Sequence, residues 1–297
     1  MYNSIMKSFG IIVSLLAGLF FPAQLKAQNS LVISSPKAYA QTVQNWDNAV
    51  SQFNLDGVSW IGHVHGNGLK DRKHKNKSRD TVIYVPGTGI IQNDTMVILY
   101  FHGLGGFSKR EFMNRIGPNL KRLSDEGLNY IFIFPELPWS KNTSTPRSRQ
   151  GYVWNGRRNK ENAALFYEES LKIIRNITGL KEFKPSNVVV VGHSAGGSAI
   201  RMAALKGGLD VIKPNKIIFS DAGYGYWTDQ AWRGYVKHTP GCRMILLVRK
   251  WDTPYKNTIR FLNRFRKTPE NIELHVFDRR QHTHTSIGDQ CLLWVGR

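Results

Sequence analysis

Cysteine is scarce. Cys242 and Cys291 are the only two in 297 residues, and neither a C-x-x-C pair nor any other zinc-type spacing occurs. That excludes a cysteine metal site and leaves at most one disulfide, which would form in an oxidising compartment; otherwise the two are buried thiols. Acidic residues are also few, 21 against 41 lysines and arginines, for a net charge of +20. Such an imbalance favours anionic surroundings such as cell-wall polymers, acidic polysaccharide, lipid head groups or nucleic acid, without choosing among them. Long apolar runs are missing after Phe21, so no later stretch spans a bilayer. Internal repeats are absent. The one biased segment, Lys70 to Arg79, is basic without interleaved aromatics, which argues for a solvated loop and against nucleic-acid binding.

What is present begins with an export signal. Lys7 supplies a positive start, Ile11 to Phe21 a short apolar core, and Leu25-Lys26-Ala27 a small residue before a cut after Ala27. The expected location is secreted or periplasmic; an uncleaved N-terminal anchor is the alternative. Those 27 residues hold two lysines and no acid, so removing them leaves 270 residues and lowers the charge from +20 to +18. Residues 28–57 read as a polar lead-in and 58–297 as one α/β domain. Asn76, Asn93, Asn142 and Asn176 lie in glycosylation sequons, which matter only in a eukaryotic host.

Strands and helices alternate through the domain. Ser59 to Val64, Thr81 to Val85, Met96 to Phe101, Tyr130 to Phe134, Val188 to Val191, Lys216 to Phe219, Met244 to Val248 and Ile272 to Phe277 read as strands. Between them, Ser108 and Glu111 fit a capping box before a helix with Phe112, Ile116, Leu120 and Leu123 on one face. Ala164, Tyr167, Leu171, Ile174 and Ile177 mark a second helix. Continuous apolar strands separated by helices imply a mostly parallel sheet covered on both faces.

The most telling stretch is Val188 to Gly197. Four valines form a buried strand, Gly192-His193-Ser194-Ala195-Gly196 fits G-x-S-x-G, and Gly197-Ser198-Ala199 opens a helix. A serine hydroxyl is a poor nucleophile at neutral pH and must be offered to a base without obstruction, which a sharp strand-to-helix turn does. The base is expected in Gln281-His282-Thr283-His284-Thr285, after the last strand. His284 is preferred because it adjoins the start of a final helix with Ile287 ready to pack, and His282 is the alternative. On chain order and loop pattern Asp252 is the preferred acid, and Asp221, one strand earlier, its rival. The oxyanion hole calls for the N–H of Ala195 and that of Leu104 or Gly105 in the loop His102-Gly103-Leu104-Gly105-Gly106. His193 and His102 read as packing or loop-fixing residues. His282 with His284, and His63 with His65, lack an accompanying carboxylate or cysteine cluster, so no metal is expected. The mechanism needs no cofactor.

The elbow at Gly192–Gly196, the order Ser194, Asp252, His284 and the His102-Gly103 loop resemble the α/β-hydrolase superfamily over residues 58–297. The resemblance implies an eight-stranded, mostly parallel sheet and serine-based acyl transfer. The layout is also similar to secreted esterases of the feruloyl and acetylxylan group.

Two loops are expected to set the substrate. Glu136 to Lys160 carries Trp154, Arg157 and Arg158, and Ala222 to Tyr235 carries Tyr224, Tyr226 and Trp227. Guanidinium groups pair with carboxylates and aromatic rings stack on sugars or acyl groups, so an anionic or polymer-linked acyl substrate is expected. The leading expectation is a secreted carboxylic ester hydrolase. A serine amidase or peptidase acting on cell-wall peptides is the second, and a non-catalytic wall- or polysaccharide-binding protein the third.

Overall fold

The computed structural model describes residues 57–63, 80–86, 95–104, 115–137 and 163–297. Outside them lie the signal and lead-in segments, the basic stretch 70–79, the capping box at Ser108 and Glu111, Gly105, and Trp154, Arg157 and Arg158. Among the described residues no helix is long and apolar enough to cross a membrane.

All the expected strands form: β1 (Gly57–His63), β2 (Asp80–Pro86), β3 (Met96–Phe101), β4 (Tyr130–Pro135), β5 (Asn187–His193), β6 (Lys216–Ser220), β7 (Arg243–Arg249) and β8 (Ile272–Phe277). They join one eight-stranded sheet in the order β1-β2-β4-β3-β5-β6-β7-β8. β2 runs antiparallel to β1 and β4, and every other pairing is parallel.

The helices are α1 (Gly117–Asp125), α2 (Ala163–Thr178), α3 (Gly196–Leu205), α4 (Gly208–Ile212), α5 (Trp227–Gly234), α6 (Thr253–Leu262) and α7 (His284–Gln290), with a final 3-10 turn at Cys291–Trp294. Strand period two divides the apolar side chains between two cores. Val188 and Val190 join Phe166, Ile200, Leu209 and Phe261 on one face of the sheet. Val189 and Val191 join Leu120, Leu123, Ile287 and Leu292 on the other. Each fully buried Val, Ile or Leu contributes roughly 1.5–3 kcal/mol, so the doubly covered centre strands hold the frame rigid under the site.

Local detail departs from the pattern at α2. The helix forms, but its buried residues are Ala163, Phe166, Tyr167, Ser170 and Ile174. Leu171 and Ile177 are only partly buried, because the sheet takes the face centred on Phe166 and Ile174. Cys242 and Cys291 are both buried thiols with no disulfide between them, one in each core. Lys216, at the start of β6, donates to the carbonyls of Trp294 (3.1 Å), Val295 (2.8 Å) and Arg297. The end of the chain is thereby tied to the central sheet.

Candidate active site

The parallel strands end at one edge, and the chain turns left-handed as it leaves three of them. Ser194 follows β5 at φ 52°, Asp221 follows β6 at φ 46°, and Trp251 lies just past β7 at φ 71°. Such a conformation costs a non-glycine residue about 1–3 kcal/mol and persists only where its surroundings over-determine it. Here the sheet's hydrogen bonding continues into the turns: Ser194 N–H donates to Ser220 O at 3.0 Å, and Asp221 N–H to Leu247 O at 2.7 Å.

Glycine makes the elbow sterically possible. A Cβ on Gly196 would lie 2.0 Å from the Phe101 carbonyl oxygen, and one on Gly192 only 2.9 Å from the Gly196 carbonyl carbon. Ser194 therefore sits at the tip of a tight strand-to-helix turn, with Ala195 as the N-cap of α3. The loop after β3 runs directly past it, since a Cβ on Gly103 would come within 3.1 Å of Ser194 Cβ. That brings Leu104, a half-exposed residue, beside the turn that carries Ser194. His102 fixes this loop. Its Nε2 accepts from Leu137 N–H at 2.8 Å, so its Nδ1 carries the proton and donates to Gly103 O at 2.6 Å.

His284 is the first residue of α7. Thr283 caps that helix reciprocally: its Oγ1 accepts from Ser286 N–H at 3.0 Å, and Ser286 Oγ accepts from Thr283 N–H at 2.9 Å. Ile287 is fully buried, and Ser220 Oγ donates to its carbonyl at 3.1 Å, which seats α7 on the end of β6. His284 Nδ1 lies 2.6 Å from Asp221 Oδ2. Asp221 has no solvent exposure, and its other oxygen accepts from Arg249 N–H at 3.3 Å. With Nδ1–H committed to the carboxylate, Nε2 of His284 keeps its lone pair.

The carboxylate facing His284 is thus Asp221 and not Asp252, which corrects the expectation from chain order. Asp252 pairs instead with Arg249 Nε at 2.5 Å and Arg279 Nε at 4.0 Å. The physical reason is the seat of α7: the Ser220–Ile287 bond places His284 over β6, one strand short of Asp252. His282 packs its ring edge on Phe277 at 5.0 Å and meets Gln290 at 3.5 Å.

Of the three aromatic candidates described, Tyr224 is the one whose hydroxyl lies near the Ser194 side chain. Burial, with Asp221 and Asp252 nearby, pushes the Tyr224 hydroxyl above its ordinary pKa, so it stays protonated. Trp227 packs edge-on against Tyr224 at 5.5 Å and leans on the core. Tyr226 is exposed, with the Arg264 guanidinium 5.8 Å from its ring.

Comparison of the sequence with protein-family models and with curated proteins returns no match. Solved structures do match in shape. Poly(aspartic acid) hydrolase-1 from Sphingomonas sp. KT-1 superposes with a TM-score of 0.54 at 14% identity, over 82% of this chain and 99% of that one. The fold is that of the α/β-hydrolases. Ferric enterobactin esterase from Salmonella typhimurium gives 0.49 at 16% identity, over 79% of this chain and 57% of that one. A peroxisomal alpha-beta-hydrolase from Saccharomyces cerevisiae gives 0.47 at 15% identity, over 82% and 86%. Within this α/β-hydrolase fold, Ser194 and Asp221, in turns, and His284, at the start of α7, lie at the carboxyl edge of the sheet, where open α/β sheets place their ligands.

Proposed function

We propose that the chain is a serine hydrolase cleaving carboxylic esters through an acyl-enzyme. The observation behind this reading is the 2.6 Å contact between His284 Nδ1 and the buried Asp221, on the same sheet edge as a left-handed Ser194. Ser194 Oγ attacks the carbonyl carbon while His284 Nε2 takes its proton. The oxyanion accepts from the N–H groups of Ala195 and Leu104. The imidazolium, stabilised by Asp221, returns the proton to the leaving alkoxide, and a water activated by the same histidine releases the acid.

An anionic, polymer-linked substrate suits the surroundings. Arg249, Lys250, Arg279 and Arg280 cluster where β7 and β8 end, and Asp252 and Asp278 offset only part of their charge. The similar fold of a poly(aspartic acid) hydrolase supports the same choice, and it also favours amide hydrolysis as the second reading. Export from the cytoplasm, proposed from the N-terminal segment, would place the enzyme among such polymers.

The test is a fluorophosphonate label together with nitrophenyl ester turnover, each run beside Ser194→Ala. Labelling and turnover that both vanish in the variant are expected. An unlabelled wild-type protein overturns the reading. Amine release from poly(aspartate) without ester turnover would transfer it to amides.

A further inference from the structure

His193, the residue just before the nucleophile, is wedged where little else fits. A Cβ on Gly288 would lie 2.6 Å from its Nε2, and one on Gly103 would lie 3.0 Å from its Nδ1. Its ring stacks on that of His284 with centroids 4.9 Å apart and planes at 31°. Both nitrogens are engaged: Nδ1 faces Arg115 Nη1 at 3.5 Å, the outer limit of a hydrogen bond, and Nε2 faces the His284 carbonyl at 3.3 Å.

The tautomer follows from the partners. A guanidinium only donates, so Nδ1 accepts; a carbonyl only accepts, so Nε2–H donates. Arg115 is itself aimed. Its Nε lies 2.8 Å from Asp289 Oδ1, and Asn119 Nδ2 donates to both the Arg115 carbonyl (2.6 Å) and the Asp289 carbonyl (2.5 Å). The polar path Asp289–Arg115–His193 therefore ends on the backbone of His284. Burial, aided by the neighbouring His284 and Arg115, holds His193 well below the usual histidine pKa and keeps it in this neutral form.

We infer that His193 is a positioning residue: through its Nε2–H bond to the His284 carbonyl and its ring contact, it fixes the first residue of α7 so that the His284 imidazole holds its place against Asp221. This rests on the serine-hydrolase reading above. The structural logic is a division of labour. Asp221 sets the ring's tautomer, while His193 sets where the ring's backbone stands. Catalytic geometry tolerates little slack, and a displacement near 1 Å lowers rate by about 100-fold.

The experiment compares His193→Gln with His193→Met. The two side chains are alike in length, but only Gln offers an acceptor to Arg115 and a donor to the His284 carbonyl. Turnover of a nitrophenyl ester, the rate of fluorophosphonate labelling and thermal unfolding are measured on each. Gln is expected to hold kcat close to wild type; Met, still folded, is expected to lose about 10- to 100-fold in kcat and labelling rate with KM little changed. Arg115→Met, which frees Nδ1 and lets the ring turn, is expected to fall between them and guards against a Met variant that fails to fold. Equal losses in Gln and Met, or a folded Met variant and an Arg115→Met variant both at wild-type rate, overturn the inference while leaving the serine hydrolase intact. An unlabelled wild type overturns both.

Discussion

Replacing Asp221 by Asn separates the two aspartates most sharply, because the amide cannot satisfy both of its neighbours. The carboxylate accepts twice, from His284 Nδ1–H at 2.6 Å and from Arg249 N–H at 3.3 Å. If the Asn oxygen stays on His284, its NH2 confronts the Arg249 N–H, leaving buried donors unpaired at about 1–3 kcal/mol. If the amide flips, its NH2 confronts Nδ1, and the imidazole must move its proton to Nε2. That tautomer has no lone pair with which to take the Ser194 proton. Either way the imidazolium loses the counter-charge of the buried Asp221. A fall in kcat of about 10,000-fold is expected, with the protein folded and KM little altered. Asp252→Asn should behave differently. It loosens a partly exposed ion pair to Arg249, costing about 1 kcal/mol of stability at most and no more than a few-fold in rate. Ester turnover and urea unfolding on both variants decide the matter. An Asp221→Asn enzyme within tenfold of wild type, beside a dead Asp252→Asn, would refute this assignment.

Two further outcomes follow from packing and from burial. Gly196→Ala would drive a methyl group to 2.0 Å from the Phe101 carbonyl, so it should lose about 3 kcal/mol or more in chemical unfolding, whereas Gly241→Ala, with nothing within 4 Å, should stay within about 0.5 kcal/mol; equal midpoints would show that the elbow tolerates side chains. Burial pushes the Cys242 thiol up to about 12 from an ordinary value of 9.0, so in the folded state it holds its proton while the unfolded chain gives it up. Its contribution is therefore whole below pH 9 and is lost as pH rises from 9 towards 12. Unfolding free energy should fall over that range, and less steeply in Cys242→Ala; identical slopes would contradict it.

Much of the fold was legible because buried parallel strands announce themselves as unbroken apolar runs. The valines of β5 and the alternation of β4 between two cores needed no tertiary knowledge. The turn at Ser194 was legible because its G-x-S-x-G pattern is local, set between a valine strand and a run of small residues, even though Gly196 is demanded by the distant Phe101 carbonyl. The acid was not. Asp221 and Asp252 both follow a strand after Ser194, so chain order admits either, and only the seating of α7 by Ser220 and Ile287 chooses. Arg115 and Asp289 escaped notice because they are 174 positions apart and an Arg or Asp on a helix usually faces solvent. Their partner His193 could be read as a packing residue, but not as the link between them.

The two thiols offer a view of how the molecule comes apart. Cys242 lies beneath one helical layer and Cys291 beneath the other, where its Sγ donates to Gly288 O at 3.0 Å. A modifying reagent reaches each only when its own layer lifts, so the two alkylation rates in native protein clock two separate local openings. The Cys291 clock belongs to the layer that holds α7, and its pace measures how often the histidine's helix leaves the sheet.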